Sequence, residues 1–160
     1  MNGPWRRATR AVTRRRQLWA AWRRVSREER RQLIRLAFLI PACRAGLRLL
    51  GYRRTRSLMD GLARRGAAST PTDASIDNLL ERALERARRF APYRGNCLSQ
   101  SLALWYELRR HGRPAELCLG ARMNDGQFSA HAWVECDGTA LTEGPASRSK
   151  WVPFQSSALS

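Results

Sequence analysis

The sequence Asn96-Cys97-Leu98-Ser99-Gln100-Ser101-Leu102-Ala103-Leu104 predicts a helix that decides the fold of the second half of the chain. Asn96 is a favoured helix-capping residue, so Cys97 is expected at the first helical position. Apolar residues continue on nearly every side as far as Leu108, which is typical of a helix buried in the middle of a domain. We expect the helix to end at His111-Gly112, where glycine is the usual terminating residue and His111 has a structural role near the last carbonyls.

The residues after this helix have the pattern of an antiparallel sheet. The expected strands are 114–123, 128–135, 139–143 and a short final strand at 151–154, separated by turns at Asn124-Asp125-Gly126 and around Asp137-Gly138. Before the helix, apolar residues from Ile76 to Ala87 recur at helical spacing and predict an amphipathic helix that ends before Pro92. The sequence therefore predicts an α+β fold in which a central helix packs on an antiparallel sheet.

The first half of the chain is strongly basic. Residues 1–68 contain 19 arginines and three acids, a net charge of +16, whereas residues 69–160 carry only +1. Ser26 followed by Glu29 predicts a capped helix start, and helical character continues to Arg65 with Pro41 expected to break or kink it. We interpret these helices as packing against the core with their arginines in solvent. A docking surface for an acidic peptide, a protein or an anionic membrane is the functional alternative.

The predicted organisation is a basic helical region at 1–68, a linker at 69–75, a core at 76–155 and a loose tail at 156–160. The longest uncharged apolar run, Leu36 to Cys43, is far shorter than the ~20 residues that cross a bilayer. No secretory signal is evident, so a cytoplasmic location with free thiols is expected.

Four cysteines and two histidines are the candidate nucleophiles, bases and soft metal ligands. Cys43, Cys97, Cys118 and Cys136 have no C-x-x-C spacing, so a zinc site is not expected. Only Cys97 is predicted at a helix N-terminus, where the helix dipole and free amides favour a thiolate. The other three cysteines are interpreted as packing residues.

His131 is the candidate base, and an acid on the next strand could orient it. His131 shares a strand face with Trp133 and Glu135, and an imidazole there can take a thiol proton. Glu143 would lie directly opposite His131 if the hairpin loop has three residues, Cys136-Asp137-Gly138, whereas a two-residue loop turns Glu143 to the other face. We therefore predict the three-residue loop, or a bulge with the same effect. A buried cysteine and histidine without chemistry are the alternative.

Three segments, 96–104, 116–122 and 128–138, together resemble the leader peptidase of bacterial lasso-peptide biosynthesis, the B protein, in the branch that is separate from its precursor-recognition domain. The resemblance covers about residues 76–145 and implies a transglutaminase-like, papain-related fold. It implies that Cys97 is the nucleophile and His131 the general base. Glu143 stands where the family usually has aspartate, which implies a role as the third catalytic residue.

The resemblance also implies a substrate and partners. The substrate would be a precursor peptide, cut between leader and core so that a separate ATP-dependent cyclase can use the freed amine. A separate leader-recognition protein is implied, with the cyclase as a further partner and no cofactor. The alternatives are a transglutaminase-like acyltransferase and a basic nucleic-acid-binding protein without enzymatic activity. The concentration of charge outside residues 69–160 weighs against nucleic acid, while peripheral membrane contact by the basic region stays open.

Overall fold

The computed structural model describes residues 25–67, 73, 75–90, 95–124, 126–141 and 151–154. Over these ranges the helices are α1 (Arg27–Leu49), α2 (Gly51–Arg65), α3 (Ser75–Phe90) and α4 (Cys97–Arg110). The strands are β1 (Ala115–Asn124), β2 (Gln127–Cys136), β3 (Thr139–Leu141) and β4 (Val152–Pro153). This arrangement agrees with the predicted α+β class. Most of the predicted linker, Pro92, Glu143 and the tail at 156–160 lie outside the described residues.

Helix α1 begins as predicted but does not break at its proline. The Glu29 amide donates to Ser26 Oγ at 3.1 Å, which confirms the cap. The helix continues through Pro41 to Leu49, so the predicted break at Pro41 is wrong. Leu36, Ile40 and Cys43 are buried on both sides of the proline, and their burial offsets the roughly 3 kcal/mol that proline costs inside a helix. The chain turns instead at Gly51, whose φ of 77° favours glycine.

One hydrophobic core joins the four helices to the sheet. Leu36 of α1, Leu80 of α3, Leu102 of α4 and Val134 of β2 are all almost completely buried in it. The prediction that the basic helices pack on the core is therefore confirmed for α1 and α2, which contributes Met59.

Not every arginine of these helices points into solvent. Arg35 Nε lies 3.3 Å from an oxygen of Glu107, a carboxylate that is 1% exposed. Burial raises the pKa of Glu107, and the neighbouring Arg35 opposes that rise. This ion pair ties α1 to α4.

The sheet has the strand order β3-β2-β1-β4, with antiparallel neighbours. The β2–β3 hairpin pairs Cys136 with Thr139, so its loop is the dipeptide Asp137-Gly138. The predicted three-residue loop is therefore wrong. Both loop residues have positive φ, 50° and 75°, the conformation that makes Asp-Gly favourable in a two-residue type I′ turn.

A side chain from another loop holds this turn. Arg113 Nη2 donates to the Asp137 carboxylate at 2.6 Å and to Asp77 of α3 at 2.7 Å. These two acids raise the pKa of Arg113 above its ordinary value. The turn is thus braced against α3 as well as fixed by its own sequence.

None of the described helices is long and apolar enough to span a membrane.

Candidate active site

Cys97 is the first residue of α4, as predicted. The Ser99 amide donates to Asn96 Oδ1 at 2.9 Å, and the Asn96 amide donates to Ser99 Oγ at 3.1 Å, which closes a capping box. The first N–H groups of a helix have no acceptor within the helix, so the amides of Cys97 and Leu98 point out of this end. The half-buried thiol is free of disulfide bonding. It therefore lies at the helix end that carries the unpaired backbone amides.

The turn before Cys97 is held in place by α1 and α3. Gly95 has a φ of 67°, and a Cβ there would lie 2.6 Å from Ile40 Cγ2, so the close approach of α1 requires glycine. Gln100, one turn into α4, accepts a 2.8 Å hydrogen bond from Arg88 Nε of α3. The position of Cys97 is therefore supported from two sides.

A hydrogen bond from Ser101 fixes the start of α4 against β2. Ser101 Oγ donates to the carbonyl of Ala132 at 2.8 Å. The Leu119 carbonyl accepts from Phe154, so the backbone groups of Leu119 point to the β4 side, away from β2. Ala132 pairs with Leu119, and the two residues of such a pair both point away from each other, so the Ala132 carbonyl faces the β3 side. Cys97 lies one turn before Ser101 on the same side of the helix, within roughly 10 Å of the Ala132 backbone. The N-terminal end of α4 therefore lies at this edge of β2.

The imidazole of His131 is held between two indole rings. It stacks with Trp133 at 6.3 Å between centroids and 8° between planes. It also stacks with Trp151 at 5.0 Å and 24°. The guanidinium carbon of Arg122 lies 4.5 Å from the Trp151 ring centroid, a cation–π contact on the same sheet face. The ring of His131 thus has a defined orientation.

Gly120, directly opposite His131 on β1, makes room for this aromatic stack. A Cβ at Gly120 would lie 2.9 Å from the Val152 carbonyl oxygen and 3.0 Å from the Trp133 ring. The Trp133 indole donates to Glu135 Oε1 at 2.9 Å, which gives that buried carboxylate a structural partner. The positions of the Trp133 ring and of strand β4 therefore both require glycine at residue 120.

Two of the three predicted catalytic residues are thus described. Cys97 precedes Ser101 by one helical turn, and His131 precedes Ala132 by one strand residue, so the Ser101–Ala132 hydrogen bond joins the helix of one to the strand of the other. Glu143 lies outside the described residues, and the register that would place it opposite His131 is not the one observed.

Sequence reasoning did not identify Ser101 and Trp151 as residues that position the site. Ser101 had a detectable signal, because it is a polar residue one turn after Cys97 on a helix that is otherwise apolar. Trp151 had none, because its contact with His131 depends on β4 pairing with β1 from the far side of the sheet.

Cys43, Cys136 and His111 have structural environments. Cys43 is 2% exposed and donates to Met59 Sδ, and burial raises the pKa of its thiol to about 12. Burial also raises the pKa of Cys136, so the packing interpretation of these two cysteines is confirmed. His111 Nε2 lies 3.2 Å from Gln32 Nε2, and burial lowers the pKa of the His111 imidazole. Over the described ranges no cluster of three potential ligands could hold a metal ion.

In this fold a capped helix that begins with cysteine is hydrogen-bonded to an antiparallel strand that carries a histidine, and thiol-dependent enzymes use the same residue types. The model of the transglutaminase-like superfamily matches residues 4–156, and the chain belongs to that superfamily. The superfamily includes papain-like cysteine proteases and acyltransferases, and its fold is typically enzymatic. Searches of curated proteins and of solved structures each returned no match.

Proposed function

We propose that this protein is a cysteine peptidase that removes the leader from a lasso-peptide precursor. The observation that carries the proposal is Cys97 at the capped N-terminus of α4, tied through Ser101 to the strand of His131. The resemblance of segments 96–104, 116–122 and 128–138 to the lasso leader peptidase supplies the substrate. Membership of the superfamily supports thiol chemistry in general.

The reaction proceeds through an acyl-enzyme. The Cys97 thiolate attacks the carbonyl of the last leader residue, and the outward-pointing amide of Cys97 donates to the oxyanion that forms. His131, which holds the thiol proton, gives it to the leaving amine of the core peptide. Water then attacks the thioester with His131 as base, which releases the leader as a free acid and restores the thiol.

The third catalytic residue is proposed to be Glu143, on the resemblance alone. A carboxylate that accepts from the imidazole fixes its tautomer and stabilises the imidazolium. Glu143→Gln should then lower kcat by at least about tenfold with little change in KM. Glu135→Gln is the matched control, since Glu135 already accepts from the Trp133 indole. An equal or larger kcat loss in the control would assign the role elsewhere.

The partners follow from the same proposal. A separate leader-recognition protein presents the precursor, and a separate cyclase consumes the freed amine. The basic N-terminal half is the proposed dock for one of them, since 19 arginines against three acids attract acidic surfaces.

Cleavage of a precursor, followed by mass spectrometry with the recognition protein present, tests the proposal. Cys97→Ala and Cys97→Ser should reduce cleavage to background, and Cys118→Ser should leave it unchanged. Cleavage by Cys97→Ala at the original rate would refute a Cys97 nucleophile.

The second candidate is acyl transfer to an amine, which the superfamily also includes. It uses the same thioester and differs only in the nucleophile of the second step. A product whose mass equals leader plus amine minus water, in place of the free acid, would decide for acyl transfer.

A further inference from the structure

A second concave site lies away from Cys97. A cavity of about 700 Å³ is enclosed by α2, the second half of α4 and the first residues of β1. Trp105 and Arg109 of its lining follow Cys97 by eight and twelve residues, which places them roughly 12 and 18 Å from it along the helix. The cavity is therefore distinct from the site around the thiol.

The lining of the cavity carries a net positive charge, because its arginines outnumber the acids Asp60 and Glu116. Four arginines and two acids line it, but Asp60 already pairs with two of the arginines, at 2.5 Å with Arg64 and 3.6 Å with Arg109. Arg53 and Arg56 have no carboxylate partner among the residues that the structure describes. The guanidinium carbon of Arg56 lies 5.9 Å from the Trp105 ring centroid, which positions the charge at the wall. Two arginines are thus available to an anionic ligand.

The cavity also exposes strand backbone. Strand β4 pairs with β1 only at Gly120 and Ala121, and the Phe154 amide donates to the Leu119 carbonyl at 2.8 Å. Alternate residues of an antiparallel strand direct their N–H and C=O groups to the same edge. The backbone groups of Leu117, two residues before Leu119, therefore face the same edge of β1 as β4, beyond the point where β4 ends. Leu117 lines the cavity, and no backbone group in the described ranges pairs with it there. On the same edge the Ala115 carbonyl already accepts from the Trp105 indole, and the Ala115 amide donates to the Arg113 carbonyl. Leu117 is thus the residue at which an added strand can pair.

A tyrosine adds a third polar feature. Tyr52 lines the cavity, and its hydroxyl is shielded from solvent without a hydrogen-bond partner among the described residues. A ligand in the cavity would supply that partner. Charge, strand edge and hydroxyl together match a peptide chain better than a nucleic acid, since only a peptide backbone offers alternating donors and acceptors at strand spacing.

We propose that this cavity is an exosite that binds an extended acidic peptide segment by strand addition to β1 at Leu117. The carboxylates of the segment pair with Arg53 and Arg56. Identification of the segment as part of the substrate rests on the proposed peptidase function. The bound segment would then lie about four to six residues from the scissile bond, because the cavity is roughly 12 to 18 Å from Cys97 and each residue of an extended peptide spans ~3.3 Å.

Direct binding by the full-length Cys97→Ala variant tests the site without any cleavage. The probe is a fluorescent peptide of roughly ten residues in which Glu and Val alternate, measured by anisotropy at fixed salt. Arg53→Glu combined with Arg56→Glu should weaken binding by at least about tenfold. Arg54→Glu, the same change on the adjacent residue outside the cavity lining, should alter it by less than about twofold. Circular dichroism establishes that both variants are folded.

Backbone methylation of the probe tests strand addition separately. Two versions of the probe are made, one with N-methyl groups on the odd-numbered residues and one with them on the even-numbered residues. In one version the methyl groups block pairing with β1, and in the other they face away from it. One methylated peptide should therefore lose binding while the other keeps it. Equal affinity of the two methylated peptides overturns strand addition. Equal affinity of the Arg53/Arg56 and Arg54 variants for the probe overturns the site.

Two further outcomes reassign the cavity. Tighter binding of an oligothymidylate, with the same dependence on Arg53 and Arg56, would assign it to nucleic acid. Binding only by a variant that ends at Phe154 would assign the edge to the chain's own last residues. Loss of probe binding by the Arg53/Arg56 variant, with normal cleavage and KM in the Cys97 background, would reject the assignment of the segment to the substrate. Probe binding by a protein that cleaves no precursor would reject only the proposed peptidase.

Discussion

Ser101 of α4 donates its hydroxyl to the carbonyl of Ala132, 2.8 Å away, and this bond ties the helix that begins with Cys97 to the strand that carries His131. Ser101 is 5% exposed, so loss of its hydroxyl leaves a buried carbonyl without its partner. We expect Ser101→Ala to lower the free energy of unfolding by about 1–3 kcal/mol. We also expect a lower kcat, because the helix that carries Cys97 is no longer fixed to the His131 strand. Ser57→Ala, at an exposed position of α2, is the control for chemical denaturation. Unchanged kcat in a destabilised Ser101→Ala variant would show that the bond serves stability only.

Trp151 positions the imidazole of His131. Trp151→Ala removes the ring that lies 5.0 Å from the imidazole, so kcat should fall roughly tenfold while KM changes little. Trp151→Phe should recover most of the loss because it restores an aromatic face. Val152→Ala changes an exposed neighbour on β4 and leaves the ring in place. If Val152→Ala lost as much activity as Trp151→Ala, the pairing of β4, and not the stack, would be responsible.

The thiols should differ sharply in their reaction with iodoacetamide. Cys97 is half-buried at a helix N-terminus, whereas Cys43 is 2% exposed with its pKa raised to about 12 by burial. Because the thiolate is the reactive form, we expect Cys97 to be alkylated at least about a hundredfold faster than Cys43 at pH 7.5. Cys136 should also be protected until the protein unfolds. Peptide mapping measures each rate, and a Cys118→Ser background removes the other half-exposed thiol. Faster labelling of Cys43 would contradict its buried position.

Acid should destabilise the protein partly through His111. Burial lowers the pKa of this imidazole below its ordinary 6.5, so the folded protein binds fewer protons there than the unfolded chain does. Its contribution to stability is therefore complete above pH 6.5 and declines as the pH falls below that value. Glu107 has a pKa raised by burial and acts in the opposite sense, so the comparison must be between variants. His111→Gln should show a smaller loss of unfolding free energy between pH 7.5 and 5.5 than the unaltered protein. Parallel pH curves would assign the acid sensitivity to other groups.

The local features of this fold could be predicted from the sequence because their causes are local. Ser26 and Asn96 cap helices through hydrogen bonds to residues three positions away, and the alternation of β2 is visible in its own residues. The break expected at Pro41 was wrong because the cost of proline is local, whereas the burial that offsets it comes from helices distant in sequence.

The register of the β2–β3 hairpin also has both a local cause and a cause distant in sequence. The Asp137-Gly138 dipeptide itself favours the two-residue turn, but the prediction gave more weight to an acid opposite His131. Arg113, 24 residues before Asp137, stabilises the observed turn and could not be connected to it from sequence. The placement of Cys97 at the start of α4 and of His131 on β2 could therefore be predicted, and their catalytic roles stay predictions. The residues that contact them come from distant pairings.

The pairing of β4 with β1 also has a consequence for the order of folding. Ala121 and Val152 are about thirty residues apart, so their pairing closes a long loop and costs conformational entropy. Only two residue pairs form in return. The helices and the β1–β2 hairpin rest on shorter connections and should form earlier. During refolding, helical signal should therefore return before Trp151 reaches His131, and activity should lag behind structure.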